Sequence, residues 1–353
     1  MQALPTDDKP IAIVDTTDLS REKWLAYRRT GIGGSDASAV MGASPFTTAR
    51  DLYYDKLDIA PAIDDEDNWV QMEIGNLLED LVARIFHSKT GYRVYQIKKM
   101  FRSPAHPFMI ADIDYFVEMP DGTTAILEIK TTNYNNRDKW FDDAEETIPP
   151  QYEIQGRHYM AVMNLDRVYY CCLYGNNENE VIIRHIDRDP DYESELIALE
   201  EHFWTNHVQA NNPPPYTENG DLVMESVRRH HGAADTEAPE VLLGQGYEAS
   251  IARFLELQEL KRELDGRQKA VEYQMNRVKG LVTDAMGRSC LASCEVGGTP
   301  YVVTFNPVLK PGIGKDNLMK LKERHPDIYD AYVTVSESRR FNIKEKRKER
   351  DAA

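Results

Sequence analysis

The chain is poor in cysteine, in long apolar runs and in positive charge, and each shortage excludes something. Four cysteines in 353 residues make no disulfide framework. Cys171 and Cys172 are adjacent within VYYCCLY, which reads as a buried strand, and Cys290 and Cys294 stand four apart with no His or Cys pair beside them. That spacing supplies no four-cysteine metal or iron–sulfur cluster. No apolar run approaches the roughly 20 residues that a membrane helix needs. The opening MQALPTDDKPIAIVD is acidic and lacks a basic segment followed by an apolar one, so no secretory signal is read there and a cytoplasmic protein is expected. A net charge of −17 is wrong for a nonspecific DNA coat. The deficit is uneven. Residues 247–353 hold 20 Lys/Arg and 16 Asp/Glu, whereas residues 1–246 hold 22 and 43. An acidic protein still binds DNA through a local basic groove or with divalent cations over its carboxylates, so charge leaves a nucleic-acid substrate open.

What is present is enough apolar material, 41% of residues, for one large or two ordinary domains, without internal repeats. Residues 1–20 read as a lead-in. SREKWLAYRRT has helical spacing with Ser20 as N-cap, GIGGSDASAVMG is a Gly-rich turn opening into a short helix, and TTARDLYYDKL is a further helix. After a polar loop, APAIDDEDN, a long helix runs to Gly91 with Ile74, Leu77, Leu78, Leu81, Val82, Ile85 and Phe86 at its apolar positions. The period then changes. YRVYQIKKMFRS, FMIADIDYFVEM and AILEIKTT read as three strands, the last two joined by a PDGTT turn. A helix starts at Pro149–Pro150, DRVYYCCLYG and NEVIIRHID form a strand pair, and a final helix begins near Tyr192. The order predicts a mixed α/β core over residues 21–215: a mixed central sheet flanked by helices. Residues 216–246 read as a linker. Residues 247–353 read as an accessory region with a long helix or an antiparallel helical pair, a β-hairpin at GGTP, a helix from Asp316 and a basic tail around Arg339–Arg340.

The chemistry concentrates on the strands. Asp114 lies on one, and Glu128, Ile129 and Lys130 on the next. A carboxylate on so apolar a strand costs several kcal/mol or more without a charged partner. A divalent cation is the natural partner, and hard oxygen ligands suit Mg²⁺. Positions 128 and 130 share a face of an extended strand, which sets an ammonium beside the metal, where it orients or deprotonates a water. Attack of that water on a phosphodiester is the reaction such a group serves. Asp112 shares the face of Asp114 in an extended strand, so one of the two aspartates is structural. His202 and His207, five apart on a helix, read as structural. Gly31, Gly33 and Gly34 form either a plain turn or a phosphate-binding nest, the nest being favoured.

From about Trp24 to Pro215 these motifs resemble the YqaJ-like viral recombinase or lambda-exonuclease family of the PD-(D/E)XK nucleases. RRTGIGGSDASAVMGASPF, GNLLEDLVARIF, ADIDYFV, LEIKTT and PPQYEIQGRHYMAV occur in the family's order. The resemblance implies a restriction-endonuclease-like core and a Mg²⁺-dependent exonuclease, with Mn²⁺ as substitute. It implies that Asp114, Glu128 and the main-chain carbonyl of Ile129 hold the metal, that Lys130 handles the water, that Glu79 sits near the metals and that Gln155 positions water or metal-bound groups. Arg28 and Ser35 would hold the 5′ phosphate, with Arg29 as the alternative should the register slip. Tyr152 and Arg157 are further candidate DNA contacts. Arg157 stands where the family usually has a second Gln, and Tyr115 follows the aspartate where it usually has Gly.

By the same resemblance the substrate is the end of double-stranded DNA, digested 5′→3′ to give single strands for phage-type recombination. The resemblance also implies a homotrimeric ring, a single-strand annealing protein as partner, no membrane, and a phage or prophage gene acting in a bacterial cytoplasm. The alternatives are an endonuclease of the same superfamily and a non-catalytic DNA-binding recombination or packaging factor with the same fold.

Overall fold

Residues 9–60, 65–142, 145–232, 235–309 and 312–334 are described in a computed structural model of the chain. The chain divides into two compact units, Met1–Gly232 and Ala233–Ala353. Unit 1 opens with β1 (Ile11–Asp15), α1 (Arg21–Arg28), α2 (Gly34–Val40), α3 (Ala49–Lys56) and α4 (Asp65–Thr90). Strands β2 (Arg93–Tyr95), β3 (Lys99–Arg102), β4 (Ile110–Asp112), β5 (Tyr115–Glu118) and β6 (Thr124–Thr131) follow. After a 3₁₀ turn come the two-residue strands β7 (Phe141–Asp142) and β8 (Glu145–Glu146), then α5 (Pro150–Met163), β9 (Arg167–Leu173), β10 (Val181–Asp187), α6 (Pro190–Phe203) and α7 (Gly220–His231).

The central sheet has the order β10-β9-β6-β5-β2, antiparallel except where β6 runs parallel to β9. The expected mixed α/β core with helices on its sheet is what forms. Alternation along β6 sorts its residues between two layers. Ala125, Leu127 and Ile129 pack with Val82, Ala83 and Phe86 of α4, whereas Ile126 packs with Met160 and Val162 of α5. Glu128 and Lys130 therefore face α5. That helix approaches the sheet closely because it carries Gly156: a Cβ there would stand 1.9 Å from the Tyr170 hydroxyl. Gly34 does the same for α2 on α5, since a Cβ would meet the Tyr159 ring at 2.5 Å.

Several expectations change. Residues 11–15 of the supposed lead-in form β1, paired with β3 in a separate antiparallel sheet, β1-β3-β4. The strand expected over 92–103 is two, β2 and β3, in different sheets. The strand expected over 108–119 likewise breaks at Ile113–Asp114, with β4 in the small sheet and β5 in the central one. Residues 65–68 are helical rather than loop. Ile74, Leu77 and Leu81 of α4 are exposed, and the helix buries Val82, Ala83 and Phe86 instead. The linker expected at 216–246 contains α7, pinned to α3 by Ser226 and His230, which bond the buried Asp51 at 2.7 and 2.5 Å.

Unit 2 comprises α8 (Glu248–Met286), the antiparallel hairpin β11 (Leu291–Val296) and β12 (Thr299–Thr304), then α9 (Lys315–Arg324) and α10 (Pro326–Tyr332). The open choice between one helix and a pair resolves as one continuous α8 of 39 residues, through Gly266. The expected last helix is two, divided at His325–Pro326. The basic tail at Arg339, Arg340, Lys344, Lys346, Arg347 and Lys348 lies outside the described residues. No helix among the described residues is long and apolar enough to cross a membrane.

Candidate active site

The break between β4 and β5 places Asp114 where the two sheets part, and its Oδ2 accepts the Ile129 amide of β6 at 2.8 Å. That bond fixes the aspartate against the Glu-x-Lys strand, and both carboxylates stay on the α5 side. Glu128, 2% exposed, accepts Lys130 Nζ and Gln155 Nε2 on its Oε1, each at 2.6 Å. Gln155 Oε1 accepts the same ammonium at 3.1 Å. Its amide nitrogen also donates to the Tyr159 hydroxyl at 3.2 Å. Lys130 Nζ sits 4.8 Å above the Tyr152 ring. Gln155 thus ties α5 to both functional groups of β6.

A cleft of about 680 Å³ takes in these residues together with Glu79, Asp112, Trp24, Arg28 and Ser35. Arg28 donates to Ser35 Oγ at 3.1 Å, bonds Asp36, and lies 5.1 Å over the Trp24 ring. Lys56, 6% exposed, bonds Asp36 Oδ2 at 2.6 Å and the Arg28 carbonyl at 2.8 Å. The sequence reading passed over Asp36 and Lys56. They are 20 residues apart on different helices, and nothing in a linear pattern couples them, although the Asp after Gly-Gly-Ser was visible. Gly33 and Gly34 are not a free nest: the Gly33 amide already donates to Asp36 Oδ2 at 2.9 Å, and Gly34 is there for the Tyr159 contact.

Arg29 turns to Asp55 and Asp58, at 3.5 and 2.7 Å, whereas Arg28 enters the cleft with Ser35. Asp112 Oδ2 accepts Trp24 Nε1 at 2.8 Å, and Asp112 lines the same cleft. Tyr152 lines the cleft. Arg157 does not reach it: its guanidinium bonds Glu153 at 2.6 and 2.9 Å and covers the Tyr192 ring at 4.4 Å.

Burial pushes the Asp114 carboxyl well above its usual range, and the negative charges of Glu128 and Glu79 add to this, against the pull of Lys130. Glu79, bonded by Gln96 at 3.2 Å, is raised by burial and then by Glu128 and Asp112. Burial opposes the charge on Lys130, but Glu128 and Asp114 outweigh it and raise its pKa. The group is a cluster of carboxylates that repel one another around one ammonium. Among the described residues no three His, Cys, Asp or Glu side chains form a preassembled metal cage. Glu128 Oε2, however, is buried with no hydrogen-bond partner. An orphaned carboxylate oxygen beside a crowded Asp114 fits a hard divalent cation, which would satisfy the one and relieve the other. Cys171 and Cys172 lie buried in β9, and Cys290 and Cys294 are exposed in unit 2.

The chain is 29% identical over 343 residues to the uncharacterized protein YqaJ of Bacillus subtilis strain 168, which spans 96% of this chain and 99% of that one. Among solved structures, it is similar to an alkaline exonuclease, LHK-Exo, from Laribacter hongkongensis: 18% identity, 59% of this chain and 98% of that one, TM-score 0.43. It is also similar to a phage-related exonuclease from Haemophilus somnus 129PT, at 13% identity, 53% and 99% coverage and TM-score 0.40. The segment holding Arg28, Asp114, Glu128, Lys130 and Gln155 matches the family described as the YqaJ-like viral recombinase domain, the match running over residues 23–166.

Proposed function

We propose that unit 1 is a metal-dependent deoxyribonuclease acting on the ends of double-stranded DNA. The observation that carries the reading is the shared cleft: Glu128 with one oxygen held by Lys130 and Gln155 and the other without a partner, facing the same space as the Arg28–Ser35 pair. Asp114, Glu128 and the Ile129 carbonyl would hold Mg²⁺ or Mn²⁺, with Glu79 close enough to feel the charge of Glu128. When bound, the cation lowers the pKa of a water and stabilises charge on the phosphate. Lys130, held charged by two carboxylates and steadied by Gln155, orients the attacking oxygen and offers its proton to the developing charge. Arg28 and Ser35 offer an N–H fork and a hydroxyl of the kind that grips a terminal phosphate. That supports 5′ phosphate recognition and degradation from the 5′ end. Exonuclease rather than endonuclease action, a single-strand annealing partner, a trimeric ring and a role in phage-type recombination rest on the family resemblance.

The test is a time course on linear duplex labelled at one end, with a 5′ phosphate, in Mg²⁺ and in EDTA. The strand bearing the phosphate should be lost in Mg²⁺ only. Closed circular duplex should persist, and Lys130→Ala should lose at least about 100-fold in rate, the scale of removing one electrostatic contact in an active site. Undiminished digestion by that variant would assign the activity elsewhere.

A further inference from the structure

Unit 2 has no interior: none of its described residues is buried. Its largest element, α8, is about 58 Å long at 1.5 Å per residue. Leu257, Leu260 and Leu264 in its first half, and Val271, Met275 and Val278 in its second, are all exposed. At about 100° per residue the six fall within an arc of about 60°, one apolar stripe on one face. The stripe is interrupted once, at Arg267–Gln268, and is symmetric about that point. Leu264 and Val271 lie three residues to either side, Leu260 and Met275 seven, Leu257 and Val278 ten.

The two halves differ in their surroundings. Beside the second half, Val303 and Phe305 around the end of β12 wall an apolar trough of about 770 Å³ with Val271, Met275, Val278 and Val282. The first half is a bare stripe. We propose that two copies of this chain pair through α8 in antiparallel orientation, the two-fold axis passing by Arg267–Gln268. Each Leu257–Leu264 stripe then fills the trough of the other copy.

Charge is compatible with this arrangement, and the match of stripe to trough sets its orientation. Lys261 and Glu272 share one flank of α8, and an antiparallel pair brings like flanks together. Lys261 then stands opposite Glu272 of the second copy, a pair that occurs twice. At the axis, Arg267 is already neutralised by Glu263 of its own helix at 2.5 Å. A parallel pair sets Glu256 against Lys261 and Arg267 against Glu272, but leaves both troughs open.

Cysteine cross-linking in the full chain tests orientation as well as contact. In a Cys290→Ser/Cys294→Ser background, Gln268→Cys should form an intermolecular disulfide under mild oxidation, as the main product at micromolar protein. Leu257→Cys alone should not, because its two copies are separated by 21 helical residues, about 30 Å. Leu257→Cys combined with Val278→Cys should cross-link as readily as Gln268→Cys. Cross-linking of Leu257→Cys alone would mean a parallel pair, and no cross-linking of Gln268→Cys would mean that something other than a second copy covers the stripe. Either result overturns the proposal. All these positions are exposed, so the substitutions leave the fold of unit 1 intact, and the readout is independent of nuclease activity.

Discussion

The carboxylate of Asp36 receives three donors: Arg28, the nearly buried Lys56 and the Gly33 amide. Burial pushes its pKa up, but the two cations and the amide outweigh this and hold it far below the usual carboxylate range. A depressed carboxyl contributes stability above its unfolded pKa and loses it as the pH falls through the folded value. The contribution is therefore in force throughout the neutral range. Asp36→Asn would leave an uncompensated ammonium inside and should cost about 3–5 kcal/mol in urea unfolding at pH 7. A loss under about 1 kcal/mol would mean that Lys56 is hydrated instead. The same substitution frees Arg28 from the geometry in which it meets Ser35. At this scale the central trio of the site was legible, since charge on an apolar strand announces a partner. The network behind Arg28 was not, because its members meet only through the packing of α1, α2 and α3.

His158, on α5, joins three elements. Its Nε2 lies 2.9 Å from the Ile110 carbonyl of β4, and its Nδ1 lies 2.8 Å from Glu200 Oε1 of α6. A carbonyl only accepts, so Nε2 carries a hydrogen, and a second proton must lie between Nδ1 and Glu200. Burial works against charge on His158, but Glu200, the Ile110 carbonyl and the more distant Asp36 raise its pKa. Glu200 is raised by burial, with His158 and His106 opposing. Both shifts keep a proton in the folded state. A raised group stabilises fully below its unfolded pKa, roughly 6.5 for His, and loses that contribution as pH climbs through the folded value. Wild type should therefore lose stability from about pH 7 upward. Glu200→Gln, whose amide donates to a neutral His158, should have a flatter profile over the same range. Parallel thermal unfolding curves from pH 7 to 9 would refute the shared proton. Element boundaries divide in the same way between what sequence shows and what it hides. The PDGTT turn, the Pro150 helix start and the Gly91 stop are local chemistry and were readable. The breaks within 92–103 and 108–119 were not, because alternation continues through them while the chain passes from one sheet to another.

For the whole molecule, two boundaries decide what can be separated from what. The first lies at Gly232, where the units part, and not at residue 215, where the sequence becomes rich in proline. Ending the chain at 215 removes Ser226 and His230 from the buried Asp51, whereas ending it at 232 keeps them. Chain 1–232 should be soluble with a single cooperative melt, and chain 1–215 should aggregate or melt at least about 10 °C lower, as a loss of several kcal/mol implies. The second boundary is electrostatic. With a net charge of −17, duplex ends are repelled except where cations gather, and the cleft offers Arg28, Lys98 and Lys130. Each phosphate neutralised contributes about −0.9 to the slope of log affinity against log salt. Binding of a 5′-phosphorylated duplex in EDTA, followed by fluorescence anisotropy across KCl concentrations, should give a slope of about −2 to −3 if the cleft alone engages the backbone. A slope steeper than about −6 would show that residues 247–353, where basic residues outnumber acidic ones, hold the DNA as well. The same titration on chain 1–232 would then return the slope to that of the cleft.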